Sequence, residues 1–214
     1  TNSPEAVGAM VELSQRKELK EIATWWLNNR KGNDWKTFEV DKILKARGLY
    51  DANQVKLTAS DFPAEPAGTK ALSSVETIAK LKGDPKLGAA AIAVCYTCHR
   101  IGDQGIEYGP NLTTYGRQQS TETIIQALAQ PSAMISHGYE GSRLVTKDGL
   151  VITGIVLTQG DPTMIKGVGG AIQTIPADRI KSVEKLEKSL MYTPAMLGLT
   201  DKSVADLTAY LKSL

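Results

Sequence analysis

Cysteine and histidine are scarce in this 214-residue chain, with two of each, and that scarcity removes whole classes of function. A disulfide-stapled scaffold needs several spaced cysteines, but Cys95 and Cys98 stand three positions apart, too near one another to close a useful loop. A zinc site would have to draw on Cys95, Cys98, His99 and the distant His137, without the paired-histidine spacing of a finger. Excess charge of one sign is missing too. The 25 basic and 23 acidic residues leave +2, and no basic stripe interleaved with aromatics occurs, so nucleic acid is not an expected partner. No apolar run reaches the roughly 20 residues of a membrane-spanning helix, and residues 1–9 lack the basic and apolar regions of a secretory signal. The chain as given is expected to have no membrane span and to be mature or excised.

With 42% hydrophobic and 22% charged residues, the chain can bury one ordinary core or two small ones. Apolar periodicity predicts helices over 4–15, 18–29 and 35–47, with Ile22, Trp25, Trp26 and Leu27 crowding one side of the second and Gly32 and Gly48 as stops. Residues 1–56 read as a helical segment, the end of a helical repeat array. Pro63 and Pro66 interrupt a polar stretch, so 57–72 is expected to be a linker.

Beyond it, helices are predicted over 73–81, 86–94 and 120–129, with Asp84-Pro85 as a start signal and Pro131 as a stop. The period then changes. Strands are expected over 143–147 and 150–158, flanking the turn dipeptide Asp148-Gly149, and over 163–167, 171–175 and 180–185. These strands suggest a β-insertion at 143–186 dividing a helical core into 73–142 and 187–214. Thr200 caps a last helix whose apolar face carries Val204, Leu207, Tyr210, Leu211 and Leu214.

The chemistry concentrates at Cys95-Tyr96-Thr97-Cys98-His99. Two thiols separated by two residues can reach the two vinyl groups of a porphyrin and form thioethers, and a histidine directly after the second thiol is carried beneath the ring to ligate iron. One covalent haem c is therefore the expected cofactor, held by Cys95 and Cys98 with His99 as iron ligand. A thioredoxin-type pair would follow a strand within a βαβ pattern, whereas here a helix runs into the motif. Two buried cysteines of no consequence would leave one of only two histidines beside them by accident. Gly88 lets the terminal helix, with Tyr210, cross the motif helix closely. A carbonyl in the loop holding Pro110 is expected to accept the outer ring N–H of His99.

A haem that only passes electrons needs a sixth ligand. Of Met10, Met134, Met164, Met191 and Met196, Met191 is preferred because it precedes the last helix in a loop able to cover the open haem face. Met196 is second and His137 third. Met10 and Met164 read as packing residues.

Residues 73–214 resemble the cytochrome c-like haem-binding domain at the C-termini of large planctomycete and verrucomicrobial proteins. The matching stretches are Leu-Lys-Gly-Asp-Pro-Lys-Leu-Gly at 81–88, the cysteine motif, Gly-Pro-Asn-Leu at 109–112, Pro-Ser-Ala-Met-Ile-Ser-His-Gly-Tyr-Glu at 131–140, Lys-Asp-Gly at 147–149 and Asp-Leu-Thr-Ala-Tyr-Leu at 206–211. The resemblance implies a mainly α fold, a class I cytochrome c-like helical core interrupted by a small β-insertion and preceded by a short helical segment. It also implies export before haem attachment, hence a periplasmic or otherwise exported bacterial protein. The family reads Ser-x-Met-Pro before the last helix, but here Tyr192 follows Met191 and the proline is delayed to Pro194. Counting back from Thr200 still matches Met191.

The expected function is electron transfer, not enzymatic catalysis: a monohaem module accepting electrons from a dehydrogenase or sugar-oxidising partner protein or domain. Two readings compete with it. A haem peroxidase or gas sensor would keep the sixth position open and use His137 with Tyr139 as its polar pocket. An interaction module would use the β-insertion and helical segment to dock a partner, with a mainly structural haem.

Overall fold

The computed structural model describes residues 3–31, 34–48, 54–68 and 70–214. Gly32, the expected stop of the second helix, lies outside them. Ser3 accepts from the Ala6 amide and starts α1 (Pro4–Leu13) with proline in its first turn. In α2 (Lys20–Lys31) the buried stripe is Ala23 and Leu27, while Ile22 and Trp25 are about two-thirds exposed. The expected single apolar side is thus split between opposite faces, since a helix turns about 100° per residue. The predicted third helix is broken. A 3₁₀ turn at Lys36–Phe38 precedes α3 (Val40–Ala46), because Glu39 between them takes a left-handed φ of 49°. Val7, Val11, Leu27, Trp35, Val40 and Leu44 form the core of this region.

The second group of helices is α4 (Val75–Ala79), α5 (Pro85–Ala91), α6 (Tyr115–Gln118), α7 (Thr121–Ala129), α8 (Pro194–Leu197) and α9 (Asp201–Ser213). All but α8 contribute to a core built on Ile78, Ile92, Ile124, Ile125, Val204 and Leu207. Helix α9 starts at a reciprocal bond pair between Thr200 and Ser203. Gly88 on α5 lies directly against it, where an added Cβ would come within 2.1 Å of the Asp206 carbonyl oxygen and 2.7 Å of Tyr210 Cβ. Only a residue without a side chain allows this crossing. Asp206 reinforces it by accepting the Asp84 backbone N–H at 2.6 Å.

Between α7 and α8 the chain forms β1 (Gly141–Thr146), β2 (Val151–Thr158), β3 (Thr163–Lys166), β4 (Ile172–Ile175) and β5 (Ile180–Lys185). Their order is β4-β3-β2-β1-β5, every pairing antiparallel. Gly149 makes the β1–β2 turn at a φ of 86°, a conformation that glycine adopts without strain.

This sheet overturns the expected fold class. The protein is mixed α/β, not a mainly α cytochrome c fold with a small insertion. The five strands close into one continuous sheet with its own buried set of Leu144, Ile152, Ile165 and Ile175. The segment expected to be a linker lies against it: Ser60 bridges in parallel to Ile152, and its carbonyl accepts the Thr153 N–H at 2.7 Å. A second cluster of Tyr108, Ile155 and Leu190, with Cys98 packed against it, joins the sheet to the motif region. No helix among the described residues is long and apolar enough to cross a membrane.

Candidate functional site

Helix α5 tightens into a 3₁₀ turn at Ile92–Thr97 that runs straight into the cysteine motif. The tighter winding brings the Cys95 carbonyl within reach of two amides, Cys98 N–H at 3.0 Å and His99 N–H at 2.7 Å. Both thiols are free and half-buried. Burial, with the neighbouring Cys98, pushes the Cys95 thiol up to about 11. Burial also raises Cys98, against the Thr97 hydroxyl, which lies 3.7 Å from its sulfur and works to lower it. Cys98 lines a cavity, whereas Cys95 packs into the helical core beside it.

His99 is buried, and its Nδ1 lies 2.7 Å from the Pro110 carbonyl oxygen. A carbonyl can only accept, so Nδ1 carries the proton and the lone pair stands on Nε2, the tautomer a metal ligand requires. Loss of water lowers the basicity of His99, and the Pro110 bond partly opposes this. The loop holding Pro110 is fixed to the motif from its other side as well. The amides of Tyr108 and Gly109 both donate to the Cys98 carbonyl, at 3.0 and 2.6 Å.

The cavity in front of His99 measures about 480 Å³, within the range of small-molecule and cofactor sites. One wall is His99, Cys98 and the 108–112 loop, a second is α7 with Ile124 and Gln126, and a third is Ile155 of the sheet with Leu190 and Met191. Among the described residues, no lysine, arginine, aspartate or glutamate lines it. Met191 therefore shares the cavity with His99, half-buried and held by a turn in which its amide donates to Ser189 Oγ at 3.1 Å. Met196, in α8, is not in the wall, and His137 is fully exposed, facing Glu140 at 3.6 Å. Tyr139 lines the cavity but His137 does not, so the expected polar pair is not brought together. Met10 and Met164 lie in the N-terminal helices and in β3.

Met134, unranked among the candidate methionines, lines the cavity and is 68% exposed. The sequence alone did not single out Tyr108 or a close approach at Gly109. Tyr108 is 3% exposed, and its hydroxyl is buried with no hydrogen-bond partner among the described residues. Gly109 is a cradle for the imidazole, since a Cβ there would stand 2.6 Å from His99 Cε1. The glycine beside Pro110 was the one signal available for this close approach.

A covalently attached haem fits these residues. It needs paired thiols beside an apolar cavity and an imidazole with Nε2 unprotonated, and Gly109 lets the loop pack close enough to hold that imidazole. The orphaned Tyr108 hydroxyl is a ready donor to a carboxylate entering a cavity that contains no cation. No group of three or more His, Cys, Asp or Glu converges as a metal site among the described residues, but a haem iron would need only His99 and one further side chain as ligands. No family model matches the chain, and no curated protein matches it.

Proposed function

We propose that this chain is a monohaem c-type cytochrome module that transfers electrons. Cys95 and Cys98 would hold the haem by thioether bonds, with His99 and Met191 as the side chains offered to its iron. The observation that carries this reading is that His99, in its Nδ1–H tautomer, and Met191 line one cavity directly beside a Cys-x-x-Cys-His turn. Bound haem supplies a one-electron iron couple. The chain contributes the rest. Pro110 orients the imidazole and raises its donor strength, and apolar Ile124, Ile155 and Leu190 exclude water, which keeps reorganisation small during electron transfer. Met191 as a ligand would keep oxygen and peroxide from the iron and raise the potential. The resemblance to planctomycete and verrucomicrobial haem-binding domains supports the cofactor, an exported location and a dehydrogenase or sugar-oxidising protein or domain as electron donor.

Expression with the haem c maturation machinery tests this. The reduced protein should give the pyridine haemochrome of thioether-linked haem, and replacing Cys95 and Cys98 together by alanine should release all haem on acid–acetone extraction. Carbon monoxide should bind the reduced protein slowly. Wild-type protein without covalent haem overturns the cofactor assignment, and rapid carbon monoxide binding or peroxide turnover overturns the electron-transfer role.

A further inference from the structure

The 105–110 loop carries the carbonyl that orients His99, and it is tied to a second layer of the molecule. Lys166, on β3, donates through Nζ to the Glu107 carbonyl at 2.7 Å. Its strand partner is Ile155, and directly opposed residues of an antiparallel pair share a face of the sheet. Lys166 therefore rises from the face that sends Ile155 into the cavity wall. Two contacts lie alongside. Tyr108 packs in one cluster with Ile155 and Leu190, and Ile106 Cδ1 lies 3.5 Å from where a Cβ on Gly170, in the β3–β4 turn, would stand. The bonds to the Cys98 carbonyl hold the loop to the motif, while Lys166 sets where loop and motif stand against the sheet.

We propose that Lys166 is a positioning residue for His99, the point through which the sheet sets the hydrogen bond between the imidazole and the Pro110 carbonyl. This rests on the haem reading above and gives the sheet a part in tuning the haem. Glu107 is three residues from Pro110. Releasing its carbonyl lets the loop move away from the ring and weakens the His99 bond. A weaker bond makes the imidazole a poorer donor, which favours reduced iron. The lost positive charge acts oppositely, because a nearby cation favours the reduced state, but at 1 M salt the screening length falls to about 3 Å and that contribution fades. The direction of the change therefore separates positioning from charge.

Lys166→Met keeps the stem of the side chain and removes the donor, and Lys166→Arg restores it. In haem-loaded protein at 1 M salt and fixed ambient potential, the reduced-to-oxidised ratio should rise about threefold in Lys166→Met. Hydrogen exchange of the His99 Nδ1–H, followed by NMR, should accelerate about tenfold, the lower end of second-shell effects at metal sites. Lys166→Arg should stay within twofold of wild type on both. The assignment is overturned if Lys166→Met with full haem loading leaves ring-proton exchange unchanged, or if the ratio falls at low salt and returns to wild type at high salt. Wild-type protein lacking thioether haem overturns the underlying reading of the site instead, and the haemochrome assay identifies that outcome separately.

Discussion

The two faces of the cavity are built differently. On the His99 face, every atom that aims the imidazole is held: two amides on the Cys98 carbonyl, the Pro110 carbonyl on Nδ1, and Gly109 against the ring. Elsewhere in the lining stand two methionines, Met191, half-buried in a single side-chain-capped turn, and Met134, mostly exposed. A densely bonded wall has one arrangement, whereas a wall of flexible thioethers has several of similar energy. On the proposed reading, the first ligand is fixed by construction and the second only by its place in the same cavity.

The sharpest way to break this comparison is to remove the preferred thioether. Met191→Ala should abolish the weak near-infrared charge-transfer band of sulfur ligation in the ferric protein. It should also lower the potential by on the order of 0.1 V, part of the ≈ 0.8 V that axial ligands span and about 2.3 kcal/mol for one electron. Met196→Ala should leave the band intact, because Met196 stands outside the cavity wall. A band that survives Met191→Ala and disappears in the double variant with Met134→Ala would assign the second face to both methionines.

The built face is tested at Gly109. In Gly109→Ala the new methyl carbon would stand 2.6 Å from His99 Cε1, in a buried region where the ring cannot swing away without losing its bond to Pro110. Overpacking of this kind costs about 1–3 kcal/mol, so thermal unfolding should move down by several degrees. Covalent attachment should continue while His99 ligation weakens, visible as high-spin ferric haem. Unchanged spin state and unchanged stability would mean that the His99 face is no more constrained than the methionine face.

The two faces also differed in how far they could be read beforehand. The His99 face is local: the thiols, the histidine and Gly109-Pro110 lie within 16 positions, so motif and turn chemistry reach them. The strands were legible for the same reason, since period-2 alternation and Asp148-Gly149 are short-range signals. The sum of the strands was not legible. Nothing within any one strand says that five of them close one sheet or that Ile155 reaches the cavity before His99, and the mainly α expectation rests on the resemblance, which implied a helical core around a small insertion. Tyr108 was invisible because an unpartnered hydroxyl is a property of packing, not of sequence. Met191 was reachable from its place in the loop before the last helix and from the count back to Thr200, whereas no sequence signal ranks Met134 among the methionines.

The smallest expected effect lies at the root of the built face. Asp206 on α9 accepts the Asp84 amide at the start of α5 and pairs with Lys202. Burial works to raise the Asp206 carboxyl, but Lys202 and the Asp84 N–H outweigh it, so its pKa falls below the ordinary 3.8. Asp206→Asn keeps an acceptor for the amide and loses the charge, at a cost of about 1 kcal/mol. A carboxyl depressed on folding contributes its stability above the unfolded pKa of about 3.9 and loses it as pH falls through the lower folded value. The gap between wild type and Asp206→Asn in urea titrations should therefore be full at pH 6 and close below pH 4. The haem spectrum should not change at any of these pH values above the unfolding transition, because this bond anchors the helix entering the motif while His99 is aimed by its own loop. A spectral shift in Asp206→Asn at pH 7 would mean that the His99 face depends on the α5–α9 crossing, and that its rigidity is a property of the whole helical layer instead of one loop.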